Sequence, residues 1–326
     1  MMGISVIVCC YNSAGRIRET IKFLANQNVP TDIPWEVIIV NNASTDSTSN
    51  DAISAWKENH GPSNFKVVDE LTAGLSFARQ KGIETSKYDF LIFCDDDNHL
   101  EADYVKTAFT IMMQNPEIGI AGAWVKPKLP FYPGKWIELQ YPALAIGKQK
   151  DTAAFVDWVF GAGMVFRKKI FDDLVSQNIR LLLSDRKGKS QTSGGDAEMC
   201  QLAKFIGYKV YFSPDLVLHH QIEQKRLTKK SFIKANLQNL QPTVHLFILD
   251  NLIKDKNRSW RSILLQFLRE RLTRVGKSSI RLMVGRHSFL NFLEVYIGSV
   301  LISWVVANRS AVIESYYQIK TNLYHD

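Results

Sequence analysis

The stretch FLIFCDDDNHL, Phe90 to Leu100, drives an apolar run straight into three adjacent carboxylates, Asp95, Asp96 and Asp97. A short apolar run closed by polar residues reads as a strand buried on both faces. Three like charges at its end repel one another with little screening. The pattern recurs upstream. ISVIVCCYN (4–12), WEVIIVNN (35–42) and FKVVDE (65–70) are apolar runs that end in polar residues. Between them lie RIRETIKFLANQ, with Ile17, Ile21 and Leu24 on one helical face, then STDSTSNDAISAWKENH and GLSFARQKGIET. Strand alternating with helix predicts an α/β fold with a mostly parallel sheet flanked by helices. In such folds ligands bind beyond the C-terminal ends of the strands. The polar clusters fall there: Tyr11-Asn12, Asn41-Asn42, Asp69-Glu70 and Asp95–Asp97.

The chain has 326 residues, 46% hydrophobic and 22% charged, which excludes a disordered protein and gives room for a catalytic domain with an appendage. A net charge of +8 points to an anionic partner, a nucleotide, nucleic acid or acidic membrane, or else to an unspecialised basic surface. The four cysteines show no metal-ligand spacing and read as reduced residues of a cytosolic protein. The N-terminus reads as a first strand rather than a signal peptide. In the middle, IGIAGAWVKP (118–127) reads as a strand. FVDWVFGAGMVFRKKIFDDL (155–174) reads as strand, glycine turn, strand and helix. A Gly/Ser/Lys-rich loop then leads into a helix near Asp196, followed by a strand ending at His219-His220.

A divalent cation reverses the repulsion among the carboxylates. Oxygen ligands suit Mn2+ or Mg2+, which take one or two protein carboxylates and complete their shells with phosphate and water. The cluster therefore implies a metal carrying a phosphorylated ligand. Alternation along an extended segment places Asp95 and Asp97 on one side.

In order and spacing, SVIVCCYNS, EVIIVNNASTDST, GLSFARQKGI, FCDDDN, FGAGMVFRKKIF and SGGDAEMCQLAKFIGYKVYFSPDLVLHH resemble the family-2 glycosyltransferases of the GT-A fold, from about Ile4 to Gln221. The resemblance implies a cytosol-facing enzyme that moves a sugar from a nucleoside diphosphate to an acceptor hydroxyl. It implies a nucleotide site at Cys10, Tyr11, Asn12, Asn41, Glu70, Arg79, Asp95 and Asp96, and a metal at Asp97 with His220 as a further ligand. Asp96 stays open as the direct metal ligand instead of Asp97. Asn41 stands where the family has an Asp that meets the base; it keeps a carbonyl acceptor but adds a donor, which leaves thymine or guanine open beside uracil. Asp196 fills the slot of the catalytic base, with Gly195 in place of the usual Glu, and inversion of the anomeric centre follows from one-step displacement. An Asp at that point can also cap the helix. The preceding loop, with Arg186 and Lys187, is placed to fold over the diphosphate. Trp158 and FGAG resemble the segment beside the acceptor.

These readings divide the chain into a catalytic domain, 1–223, with its nucleotide half in the first hundred residues or so, and a basic, apolar helical region, 224–326. The segment SFLNFLEVYIGSVLISWVVAN (288–308) is long enough to tempt a transmembrane reading, but Asn291, Glu294 and Gly298 interrupt it. A basic helix beside an apolar one fits an anionic bilayer surface, and equally a bundle with a solvated basic face. The expected setting is the cytoplasmic side of a membrane, with a glycan or lipid-linked acceptor and no nucleic acid. A nucleotidyltransferase or a non-catalytic scaffold of similar topology is the alternative. The first would want a glycine-rich phosphate loop after the opening strand, where YNSAGRIRE has a single Gly.

Overall fold

The computed structural model describes residues 1–183, 194–285 and 288–325. The Val/Ile-rich runs form β1 (Ile4–Cys10), β2 (Trp35–Asn42), β3 (Phe65–Glu70) and β4 (Phe90–Asp95). They lie parallel in the order β3-β2-β1-β4, with Val6 opposite Val37 on one side and Ile92 on the other. Alternate side chains enter opposite cores. Val6 and Val8 join α1 (Ile17–Ala25) and α2 (Thr48–Glu58), whereas Ile7 meets α3 (Leu75–Thr85). Both faces are therefore covered, as the continuous apolar runs require.

The second half departs from the parallel pattern. The chain continues through β5 (Asn98–Leu100), α4 (Tyr104–Gln114), β6 (Ile118–Lys128), β7 (Ala154–Phe155), β8 (Val165–Arg167), α5 (Lys169–Ser176), α6 (Gly195–Phe205) and β9 (Lys209–Gln221). β8 runs antiparallel to β4 and β6, and β5 antiparallel to β9, so the nine-stranded sheet is mixed. The strand expected from FVDWVF shrinks to Ala154–Phe155. Beyond it the Gln149 side chain stands in for a neighbouring strand: it donates to the Trp158 carbonyl at 3.1 Å and accepts from the Phe160 N–H at 3.2 Å.

A helical turn at Gln224–Arg226 leads to α7 (Lys229–Gln238), α8 (Leu240–Lys254), α9 (Trp260–Met283), α10 (Phe289–Ala307) and α11 (Arg309–Tyr324). Thr228, Ser259 and Ser288 cap α7, α9 and α10 by accepting the N–H three residues on. Val244, Ile248, Phe267, Val312 and Tyr316 continue the core that begins at Ile7 and runs through α6. α10 packs along α9, where a Cβ on Gly298 would stand 2.5 Å from Val275. Among the described residues α10 is the one helix long and apolar enough to cross a membrane, with a mean hydropathy of 1.8 and 22% of its apolar window buried.

Candidate active site

The parallel strands deliver their polar ends to one edge, and β4 stops at Asp95 there. Asp96 and Asp97 form a turn before β5, so strand alternation does not govern where the three carboxylates point. Asp96 turns inward. Arg16 Nη2 approaches it at 2.6 Å, Ser13 Oγ also donates to it, and the Thr20 hydroxyl donates to its carbonyl at 2.9 Å. Burial pushes the Asp96 carboxyl up, against the pull of the Arg16 guanidinium. Asp97 accepts from Asn98 Nδ2 at 2.9 Å and lies 3.6 Å from His220 Nε2. The β5–β9 register sets Asn98 opposite His220 and so brings this pair together. Asp96 and Asp97 are thus given different environments, while the Asp97 charge still adds to the upward push on Asp96.

Two cavities meet at Asp95. One, of about 380 Å³, is lined by Cys9, Cys10, Tyr11, Asn42, Asp95–Asp97 and Arg226. The other, of about 290 Å³, is lined by Arg79, Asp95, Trp158, Gly161, Asp196 and His220, and again by Arg226. Leu75, Asp95 and Arg226 belong to both. Of the expected nucleotide residues, Cys10, Tyr11, Asp95 and Asp96 line the first cavity and Arg79 the second. Asn12 instead ties the β1 end to the loop before α2, since its Oδ1 accepts from the Thr45 N–H at 2.8 Å. Asn41 donates to Asp69 at 2.8 Å, and its buried Oδ1 has no hydrogen-bond partner. Its neighbour Asn42 reaches the cavity, accepting from the Gly74 N–H at 2.8 Å. Glu70 closes on its own loop through the Thr72 N–H, 2.6 Å away. Burial pushes the Cys9 thiol up to about 12 and the Cys10 and Cys94 thiols well above their ordinary value, so Cys9 and Cys10 wall the cavity as protonated thiols.

Asp97 and His220 together offer two donors that fit a divalent ion: the Asp97 carboxylate and, 3.6 Å from its Oδ1, His220 Nε2 on a buried ring. Among the described residues no three His, Cys, Asp or Glu side chains form a complete metal cluster. Remaining ligands would therefore come from a bound diphosphate and water, the habit of Mg2+ and Mn2+.

Asp196 sits in the first turn of α6, but Gly194, at φ +130°, takes the cap position, so the capping alternative does not apply. The Asp196 carboxylate lines the cavity, with Arg79 Nη2 3.4 Å from its Oδ1. It lies against the backbone at Gly161: a Cβ there would stand 2.5 Å from Oδ1 and closer still to Oδ2. The glycine of FGAG thus makes room for the carboxylate. Arg186 and Lys187, expected near the phosphates, lie outside the described residues.

Two features escaped the sequence reading. Glu198, fully buried, accepts the N–H groups of Leu182 and Leu183 at 3.0 and 2.9 Å and pairs with His245 Nε2 at 3.0 Å. It ties the chain before α6, and with it Asp196, to α8. Its signal was an acid two residues after Asp196 on a helix that must bury one face. Arg226 was read as part of a basic tail, although it follows His220 by six residues, at the edge of the site.

The family model described as "Glycosyl transferase family 2" matches residues 5–175. The chain belongs to glycosyl transferase family 2. A poly-beta-1,6-N-acetyl-D-glucosamine synthase of Staphylococcus epidermidis is 25% identical over 177 residues, 53% of this chain and 41% of that protein. The family 2 chain thus spans about two fifths of that relative's length. A glucosyl-dolichyl phosphate glucuronosyltransferase of Haloferax volcanii is 22% identical over 287 residues, 83% of this chain and 86% of that one. Among solved structures, Staphylococcus aureus TarS 1–349 in complex with UDP-GlcNAc overlays with a TM-score of 0.54 at 15% identity, covering 98% of this chain and 90% of that one. The mannosyltransferase PcManGT of Pyrobaculum calidifontis, in complex with GDP-Man and Mn2+, overlays with a TM-score of 0.55 at 18% identity, covering 99% and 87%. These likenesses establish the GT-A glycosyltransferase fold.

Proposed function

We propose that the protein transfers a sugar from a nucleoside diphosphate to an acceptor hydroxyl, with inversion, in the synthesis of a polysaccharide or lipid-linked glycan. The observation that carries this reading is the pair of joined cavities, one walled by the β1 and β4 ends and the other holding Asp196, with Asp95 and Arg226 at their junction. The nucleotide lies against Cys10 and Tyr11, its ribose towards Asp95. The UDP-GlcNAc and GDP-Man bound by the structural neighbours both belong to this donor class.

Asp196, beside Arg79 in the first turn of α6, takes the proton of the acceptor hydroxyl as that oxygen attacks the anomeric carbon. The Gly161 backbone fixes where it stands. Arg226 faces the departing diphosphate and meets its growing charge. Asp97 and His220 would hold Mn2+ or Mg2+, which when bound supplies Lewis acidity to the diphosphate. A single displacement, with one base and no second carboxylate acting as nucleophile, inverts the anomeric centre.

The same reading sets the enzyme on the cytoplasmic side of a membrane, with its basic C-terminal helices towards the lipid. The Asp196→Asn variant tests the mechanism. It is expected to bind nucleotide as the wild type does and to lose transfer, while the wild-type product shows inverted configuration by NMR. Retained turnover in the variant removes Asp196 as base, and retained configuration removes the single displacement.

A further inference from the structure

We infer that a surface made of the Phe131–Tyr132 loop and the α9–α10 hairpin docks on an anionic bilayer beside the acceptor cavity, so that a lipid-linked acceptor enters directly from the membrane. The docking surface deepens the membrane setting proposed above, and the delivery step rests on the glycosyltransfer reading.

A third cavity, of about 850 Å³, is lined by Glu138, Tyr141, Lys148, Phe155, Trp158 and Phe160. It shares Pro142, Trp158 and Phe160 with the chamber that holds Asp196. Its volume suits several sugar units rather than a lone hydroxyl. Exposed aromatic faces at Trp158 and Phe155, 43% and 51% accessible, give such a chain surfaces to stack on.

The wall of this cavity is tied to the C-terminal hairpin. Tyr132 donates to Glu138 at 2.6 Å, and Trp136 meets Phe289 edge-on with ring centroids 6.2 Å apart. Lys229 Nζ lies 4.8 Å from the Phe289 ring centroid and 6.0 Å from that of Trp136. α10 thus begins next to the cavity wall. On these elements large apolar side chains are exposed: Phe131 on the loop, Ile280, Met283 and Val284 at the end of α9, and Leu290 and Phe292 on α10. Single exposed apolar residues need no explanation, but a group on two packed helices and an adjoining loop marks an interaction surface.

Charge selects the occupant. α9 carries Arg261, Arg269, Arg271, Arg274, Lys277 and Arg281 against a single acid, Glu270. Cations interleaved with apolar and aromatic side chains fit anionic headgroups over an acyl boundary. A second copy of this chain, itself +8, would meet the same sign of charge. Spanning is disfavoured because α10 packs along α9, and full insertion would carry Arg274, Lys277 and Arg281 into hydrocarbon. The hairpin therefore lies in the interface, with its charged side chains at headgroup depth.

Co-sedimentation with vesicles tests the docking. The full chain is expected to pellet with 3:1 phosphatidylcholine:phosphatidylglycerol vesicles, less so in high salt, and to stay in solution with phosphatidylcholine alone. Phe131→Ser/Phe292→Ser removes exposed apolar groups outside the catalytic machinery. It is expected to weaken binding about tenfold while hydrolysis of a nucleotide sugar in solution is unchanged. Wild-type protein left in the supernatant, equal binding to neutral vesicles, or a double variant that pellets like the wild type overturns the inference. Vesicle binding that follows the expected pattern in a protein that neither binds, hydrolyses nor transfers from any nucleotide sugar leaves the docking surface standing and removes the glycosyltransfer reading.

Discussion

Gly161→Ala probes the base without touching it. Gly161 lies outside the left-handed region, so alanine fits its backbone conformation, and the nearest atoms the new methyl meets are those of the Asp196 carboxylate. A Cβ 2.5 Å from Oδ1 is about 1 Å inside ordinary van der Waals contact, roughly 3.5 Å. The atoms met belong to a side chain and not to backbone, so the Asp196 carboxylate shifts and the fold is spared. A reacting group displaced by about 1 Å loses about 10²-fold in rate, or about 2.7 kcal/mol of barrier. The assay is initial-rate transfer at saturating donor, with nucleotide affinity from calorimetry and a thermal melt on the same sample. Transfer is expected to fall about a hundredfold, with nucleotide affinity unchanged and the melting temperature within a few degrees of wild type. Combining the change with Asp196→Asn is expected to add little, since both act through one group. Wild-type turnover in Gly161→Ala, or losses that multiply in the double variant, would refute the placement of the base.

Arg226→Ala is expected to slow both transfer and donor hydrolysis by about 10²-fold or more, as loss of an aimed charge at the leaving group does; an unchanged rate would remove Arg226 from the site. Glu198→Ala leaves buried His245 and the Leu182 and Leu183 N–H groups without their partner, and about 3–5 kcal/mol of stability is expected to go. Chemical denaturation reads that loss, and one below about 1 kcal/mol would contradict the role given to the pair. Glu36 is buried, which by itself raises its carboxyl, but the Lys87 N–H, Lys66 and Ser5 outweigh burial and hold it below 4.5. Its contribution is therefore present above pH 4.5 and lost as the pH falls through its lower folded value. Glu36→Gln is expected to be less stable than wild type at pH 7 and to converge with it in acid; a gap of the same size at pH 3 would contradict this.

The parallel half of the sheet was legible because each strand is an apolar run and each intervening helix carries one apolar face, as at Ile17, Ile21 and Leu24. The edge that carries the site followed from topology alone. What sequence reasoning misjudged was decided by side chains from distant segments. FVDWVF looks like a strand, yet Gln149 replaces the ladder from outside the run. The alternation argument for Asp95 and Asp97 assumed that the strand continues, whereas Arg16 and Ser13 draw Asp96 into a turn. The partnership of Glu198 with His245 spans 47 residues and has no local signature. Asn41 and Asn42 differ only in which side of β2 they occupy, and only the sheet register shows that Asn42 reaches the cavity.

The central claim is that the turn closing β4 grips a divalent ion together with a diphosphate, and titration calorimetry of UDP and GDP tests it most directly. Binding by at least one nucleotide is expected in Mn2+ and abolished by EDTA, with Asp97→Ala and His220→Ala each weakening it by about 10- to 100-fold. Equal affinity in Mn2+ and EDTA, or variants that bind as wild type, would contradict it.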